Sequence, residues 1–246
     1  MDWVRITVPT GGTLSAAVAR PAGTGMHPVL VILHGTHGFA REYVALARDV
    51  AREAGVVAIA ACWFSGGRGA GVGVVTPIEC PDAPPMPSTG MTPEALAAVD
   101  ALVGAARTLP GVRTDRVALL GHSRGAVAAV YYALGRGSAS EAPRRGLNAV
   151  VLNSGAYPPE LVARAGALSV PALLLHGTAD GPAEGGSEMT TVARARAFEA
   201  ALVAAGKVVE SEYFEGARHS ALFYNANQRA RSVRRLVDFI RRQGLD

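Results

Sequence analysis

One serine set between glycines, one aspartate and one late histidine carry the chemistry that this sequence suggests most directly. Gly121-His122-Ser123-Arg124-Gly125 follows the apolar run Val117-Ala118-Leu119-Leu120 and precedes residues of helical period. A serine on a sharp strand-to-helix turn is lifted off the sheet, and flanking glycines relieve crowding where the backbone reverses. Because a neutral hydroxyl is a weak nucleophile, Ser123 needs a proton acceptor. His219, in Gly216-Ala217-Arg218-His219-Ser220, follows the last strand signal and suits that role. Asp180, in Leu175-His176-Gly177-Thr178-Ala179-Asp180-Gly181, would orient the imidazole and offset the charge it gains. Glu184 is a nearby competitor, and turn capping is the other use of Asp180.

An early turn, His34-Gly35-Thr36-His37-Gly38, follows another apolar run. Backbone N–H groups of Thr36 and Arg124 could together stabilise the oxyanion of a tetrahedral intermediate, with no need for the arginine side chain. His34, His122 and His176 lie beside strand ends or glycine turns and read as structural, bonding neighbouring loops. Their separation makes no zinc motif, and neither a phosphate-cradling loop nor a nicotinamide fingerprint is present. The expected chemistry calls for no cofactor and no metal.

These loops need a scaffold that brings them to one edge. Residues 3–8 and 13–19 read as opening strands, and Val29–Leu33 as a strand buried on both faces. Tyr43, Leu46, Ala47, Val50 and Ala54 form a helical face ended by Gly55, and Val56–Ala61 resumes a strand, the spacing of a parallel crossover. Thr92 and Pro93 open a second helix, another begins near Arg124, and Ala149–Leu152, Ala172–Leu175 and Val208–Phe214 give later strands. Helices bearing Val192–Ala205 and Ala230–Ile240 complete the pattern. The whole, 1–246, reads as a single α/β domain with a mostly parallel central sheet flanked by helices. The Gly/Pro-rich segment 65–91 is too long for a plain connector and is expected to border the active site.

With 49% hydrophobic and 18% charged residues, the 246-residue chain is poorly suited to disorder or to a heavily solvated interaction surface. A net charge of +4 is too small to define a nucleic-acid site. The arginines near the end, Arg229, Arg231, Arg234, Arg235, Arg241 and Arg242, read as a solvated helix face. Neither a signal peptide nor a bilayer-length apolar stretch is evident, so a soluble cytoplasmic protein is expected, with no membrane insertion. Cys62 and Cys80 form a disulfide only if their side chains meet in an oxidising compartment.

The early His34-Gly35 turn, the Ser123 elbow, the Asp180 loop and the His219 loop, in that order along nearly the whole chain, resemble the α/β-hydrolase family. The closest likeness is to its compact branch related to dienelactone hydrolase. The resemblance implies an α/β-hydrolase fold without a large cap, Ser123 as nucleophile, Asp180 as acid, His219 as base, and the Thr36 and Arg124 amides as oxyanion donors. Dienelactone hydrolases proper carry cysteine where this chain has Ser123, so the substrate class implied is a carboxylic ester or lactone rather than dienelactone itself. Thioesterase, peptidase or acyltransferase chemistry on the same triad is the alternative, as is a non-catalytic ligand-binding relative. Trp63, Phe64, Arg68, Met86 and Tyr157 are candidate substrate contacts, and equally candidates for core or loop packing. A small-molecule ester, lactone or thioester is the expected partner; nucleic acid is not, and the oligomeric state stays open.

Overall fold

The structure, a computed structural model, describes residues 1–66, 75–135, 147–219 and 225–245. Among these, eight strands form one sheet: β1 (Asp2–Thr7), β2 (Thr13–Ala19), β3 (His27–Leu33), β4 (Val57–Ala61), β5 (Val112–His122), β6 (Leu147–Asn153), β7 (Ala172–Gly177) and β8 (Val209–Phe214). Their spatial order is β1-β2-β4-β3-β5-β6-β7-β8. β2 runs antiparallel to both β1 and β4, and every later neighbour pair is parallel. The helices are α1 (Arg41–Ala54), α2 (Pro93–Thr108), α3 (Arg124–Ala133), α4 (Pro159–Val162), α5 (Val192–Ala204) and α6 (Ala226–Arg242). This is an α/β-hydrolase fold, as the resemblance implied.

The unbroken apolar runs are those of doubly covered strands: Pro28–Leu33 and all of β4 are buried. β5 begins at Val112, five residues ahead of its apolar run, because Arg113–Arg116 are half-buried or exposed and carry no hydrophobic signal. α2 starts where a cap predicts: Thr92 Oγ1 accepts from the Ala95 amide at 3.2 Å, and Pro93 occupies the first turn. Asn225 caps α6 in the same way, its Oδ1 accepting from Gln228 at 3.1 Å.

Right-handed crossovers decide which face each helix covers. From β3 the chain steps one way to β4, whereas from β5 it steps the other way to β6, β7 and β8. α1 therefore lies on one face, where it meets α6, while α2, α3 and α5 cover the opposite face. The reversal leaves a crevice outside the carboxyl ends of β3 and β5, which is where ligands bind in open parallel sheets.

The arginines of α6 do more than face water. Arg235 reaches Glu212 at 3.0 Å and Glu210 at 3.1 Å, Arg231 reaches Glu212 at 2.6 Å, and Arg229 reaches Asp49 of α1 at 2.6 Å. Their carboxylate partners lie on elements remote in sequence, so periodicity alone gave only the solvated reading. The pairs with Glu210 and Glu212 hold α6 against edge strand β8, whose far end leads into the His219 loop, and the pair with Asp49 ties it to α1, while Val233, Leu236, Val237 and Ile240 bury the opposite stripe.

Cys62, just past β4, is joined to Cys80, 18 residues later, so the part of the Gly/Pro-rich segment around Cys80 is tied back to the sheet, while residues 67–74 lie outside the described residues. Closing a loop of that length removes chain entropy from the unfolded state worth about 3 kcal/mol. Urea unfolding of oxidised protein against protein reduced by dithiothreitol should display a loss of that order; superimposable curves would remove the bond from the stability account.

Candidate active site

Ser123 sits between β5 and α3 with φ 53° and ψ −116°, a conformation that side-chain-bearing residues rarely adopt. It is held there by its own amide, which donates to Asn153 O at 2.9 Å, and by the α3 turns that begin on its carbonyl. The two glycines of the elbow are steric necessities. A Cβ on Gly121 would collide with the Gly125 carbonyl, and one on Gly125 with the Leu33 carbonyl at the end of β3. Gly35 is similarly constrained, since a Cβ there would lie 2.8 Å from His122 Nδ1 and 3.1 Å from Ser123 Cβ.

The three residues expected to act together do meet. His219 Nε2 lies 3.0 Å from Ser123 Oγ, and His219 Nδ1 lies 2.9 and 3.0 Å from the two Asp180 oxygens. A ring nitrogen facing a carboxylate carries the proton, so Nδ1–H donates to Asp180 and Nε2 presents its lone pair to the Ser123 hydroxyl. That is the tautomer a general base needs. Asp180 is only 5% exposed, and Thr190 Oγ1 donates to its Oδ1 at 2.8 Å. His176 donates through Nε2 to Thr190 O at 2.6 Å, with that nitrogen 3.5 Å from Asp180 Oδ2. Gly186 makes this pocket possible, because a Cβ there would strike both Asp180 Oδ1 and Thr190 Oγ1. Gly177 lets the His219 loop close in, its missing Cβ leaving room for the Ala217 carbonyl. The Glu184 side chain lies outside the described part of the structure.

Thr36 and Arg124 are brought together as well. Arg124 Nε donates to Thr36 Oγ1 at 3.1 Å, and its Nη1 donates to Pro87 O at 2.5 Å. One side chain thus clamps the early turn, the elbow and the end of the Gly/Pro-rich segment. The Arg124 amide opens α3, where N–H groups lack intrahelical carbonyls and the helix dipole favours negative charge.

Beside the triad lies a cleft of about 590 Å³, lined by Ser123, His219, Thr36, His37 and Arg124. Its apolar wall is Met91, Val127, Tyr131 and Met189. Ser88–Met91 form another wall, and Gly90 lies so close to α3 that a Cβ would stand 2.6 Å from Arg124 O. Of the side chains expected to touch substrate, Trp63, Phe64 and Tyr157 are instead buried in the core. Trp63 Nε1 donates to His34 O at 3.0 Å, and Tyr157 stacks on Phe198. Met86 borders a separate groove, while Arg68 lies outside the described residues. Met91, Val127 and Met189 are spread over three loops and helices, so no local pattern in the sequence marks them as one surface. Among the described residues no group of histidines, cysteines and carboxylates is arranged to hold a metal, and no helix is long and apolar enough to cross a membrane.

Several histidines here are kept neutral. Burial drives His34 down to about 3, and burial together with nearby His219 drives His37 down to about 4. His122 is also pushed well below its usual value, first by burial and then by His219. The unfolded chain, whose histidines titrate near 6.5, then binds protons before the folded one as pH falls. Stability is therefore fully present above about pH 6.5 and declines toward pH 4, by roughly 1.4 kcal/mol per pH unit for each histidine kept neutral. Urea midpoints from pH 8 to 4.5 should display the decline, less steep in His37→Asn; a flat profile would overturn these assignments.

No curated protein matches the chain. A model of the dienelactone hydrolase family matches residues 14–243. Among solved structures, the dienelactone hydrolase-like promiscuous phosphotriesterase P91 from metagenomic libraries superposes with a TM-score of 0.72 at 17% identity, covering 98% of this chain and 97% of that one. The esterase Est2 of Thermogutta terrifontis, with propionate bound, gives 0.69 at 18% identity over 99% and 94%. Est1E from Butyrivibrio proteoclasticus gives 0.69 at 17% identity over 100% of both chains. At such identities the superpositions speak for the fold, and the family match, which contains Ser123, Asp180 and His219, speaks for descent: the chain belongs to the dienelactone hydrolase family.

Proposed function

We propose that this protein hydrolyses a carboxylic ester or lactone through an acyl-enzyme on Ser123. The observation that carries the reading is the continuous bond path from Ser123 Oγ through His219 to Asp180, at 3.0 and 2.9 Å. In the first half-reaction Ser123 Oγ attacks the carbonyl carbon while His219 Nε2 takes its proton. The negative carbonyl oxygen would be met by the amides of Thr36 and Arg124. Collapse expels the alcohol, which receives the proton from His219, and a water activated by the same nitrogen then releases the acid. Asp180 stays ionised throughout and steadies the imidazolium.

The cleft supports a small-molecule substrate: apolar side chains can enclose an acyl or ring group, and Ser88, Thr89 and Ser187 supply hydroxyls at its border. We read the segment 65–91 as a border of the active site on the strength of Ser88–Met91, within a single domain spanning 1–246. A cytoplasmic setting was expected from the sequence, which shows neither a signal-peptide pattern nor a bilayer-length apolar stretch. The Cys62–Cys80 bond favours an oxidising compartment instead, since cytosolic reductants would keep these thiols free.

A fluorophosphonate probe followed by intact-mass spectrometry, run beside a panel of aryl esters, lactones, thioesters and an aryl phosphotriester, tests the reading. Wild type should gain one adduct and turn over esters or lactones; Ser123→Ala should gain none and lose at least about 10³-fold in kcat while keeping its unfolding midpoint. Absence of both adduct and turnover in wild type would leave a ligand-binding relative as the better account.

A further inference from the structure

Beneath the elbow a second set of polar groups is connected as tightly as the triad, and the chemistry above does not use it. Tyr43, fully buried on α1, places its hydroxyl 3.1 Å from the Gly35 amide, 2.8 Å from His37 Nε2 and 2.9 Å from His122 Nδ1. On the far side of the His122 ring, Nε2 lies 3.3 Å from the backbone carbonyl of His219. The neighbouring rings are close, with centroids 5.2 Å apart from His37 to His122 and again from His122 to His219.

Donor and acceptor roles follow from what each atom can do. A carbonyl only accepts, so His122 Nε2 carries a proton and donates to His219 O. The ring is neutral, which leaves Nδ1 as a lone pair, and the Tyr43 hydroxyl must donate to it. That hydroxyl has only one proton, so it accepts from the Gly35 amide and from His37 Nε2–H. The bonds therefore point one way: from the early turn into Tyr43, from Tyr43 into His122, and from His122 into the backbone of the residue that carries the base.

We propose that Tyr43 is a positioning residue that, through His122, holds the Gly35–Thr36 oxyanion turn and the His219 backbone in one hydrogen-bonded unit. The turn follows β3, in the middle of the sheet, and His219 follows β8, at its edge, so the sheet itself registers them only through the three intervening strands β5, β6 and β7. The Tyr43–His122 link is a direct brace between them. Gly35 lacks a Cβ for the same reason: one there would stand 2.8 Å from His122 Nδ1, and the early turn must approach the ring that mediates the coupling. Displacing either the oxyanion donors or the base by a fraction of an ångström weakens the transition state more than the bound ester.

This inference rests on Ser123 being the nucleophile, and the experiment separates the two. Wild type, Tyr43→Phe, His122→Gln and the double variant are compared per active site titrated with the fluorophosphonate, so that loss of folded protein does not count. Glutamine keeps an N–H near the position of Nε2 but offers nothing in place of Nδ1. Each single variant should lose about 10- to 100-fold in kcat with KM within about twofold of wild type. Affinity for a boronic acid, which becomes tetrahedral on Ser123, should fall in parallel, while affinity for the carboxylate product stays level. Because both residues act in one chain, the double variant should be no slower than the slower single, within about twofold. Unchanged kcat per site, or losses that multiply in the double variant, would overturn the coupling while leaving the nucleophile in place. Should Tyr43→Phe not fold, an unaltered boronic acid affinity in His122→Gln overturns it equally. A wild type that takes no probe would defeat the Ser123 reading and this one with it.

Discussion

Crowding of backbone at the carboxyl ends of β3 and β5 is the constraint on which the rest of the structure depends. Here the early turn, the serine elbow and the first turn of α3 approach one another so closely that Gly35, Gly121 and Gly125 have no room for a Cβ. The approach forces Ser123 to a positive φ, and that conformation projects its hydroxyl into the crevice. Backbone strain of this kind costs on the order of 1–3 kcal/mol and persists only where surrounding contacts over-determine it. The Ser123 amide bond to Asn153 and the doubly buried strands on either side supply that determination.

Around this point the site is assembled by side chains whose partners lie in other loops. Arg124 fastens the elbow to Thr36 and Pro87, and Thr190 fastens the triad carboxylate across a loop that only Gly186 allows to close. Such contacts limit motion among groups that must remain aligned through two half-reactions. The Arg–Glu pairs between α6 and β8 act at greater distance, by keeping the edge strand that leads to His219 on the sheet. Exposed pairs of this sort contribute little individually, so the buried stripe of α6 carries most of its docking energy.

The histidines illustrate how one residue type takes different tasks through environment. His219 touches both a carboxylate and a hydroxyl and sits where a proton must move. His34, buried among Phe39, Trp63 and Phe64, is held neutral and fills space with a ring that also accepts the geometry of the early turn. His122 and His176 use one nitrogen each to bind a loop carbonyl, which is the bracing role their neighbouring glycine turns suggested.

What the sequence by itself determined was the order of elements and the three residues of the triad. Doubly buried strands write unbroken apolar runs, amphipathic helices write a period near 3.6, and the elbow needs its glycines next to its serine, so each leaves a local trace. Cleft walls leave none. Met91, Val127 and Met189 become one surface only when α3 and two loops meet, and Trp63, Phe64 and Tyr157, aromatic residues beside the right loops, turn inward because the core has space for them. The Cys62–Cys80 bond, the arginine pairs of α6 and the Tyr43–His122 brace were likewise decided by tertiary structure. Each joins groups that are distant along the chain, and the short range of hydrogen bonds and contacts makes their meeting a property of the fold rather than of any segment.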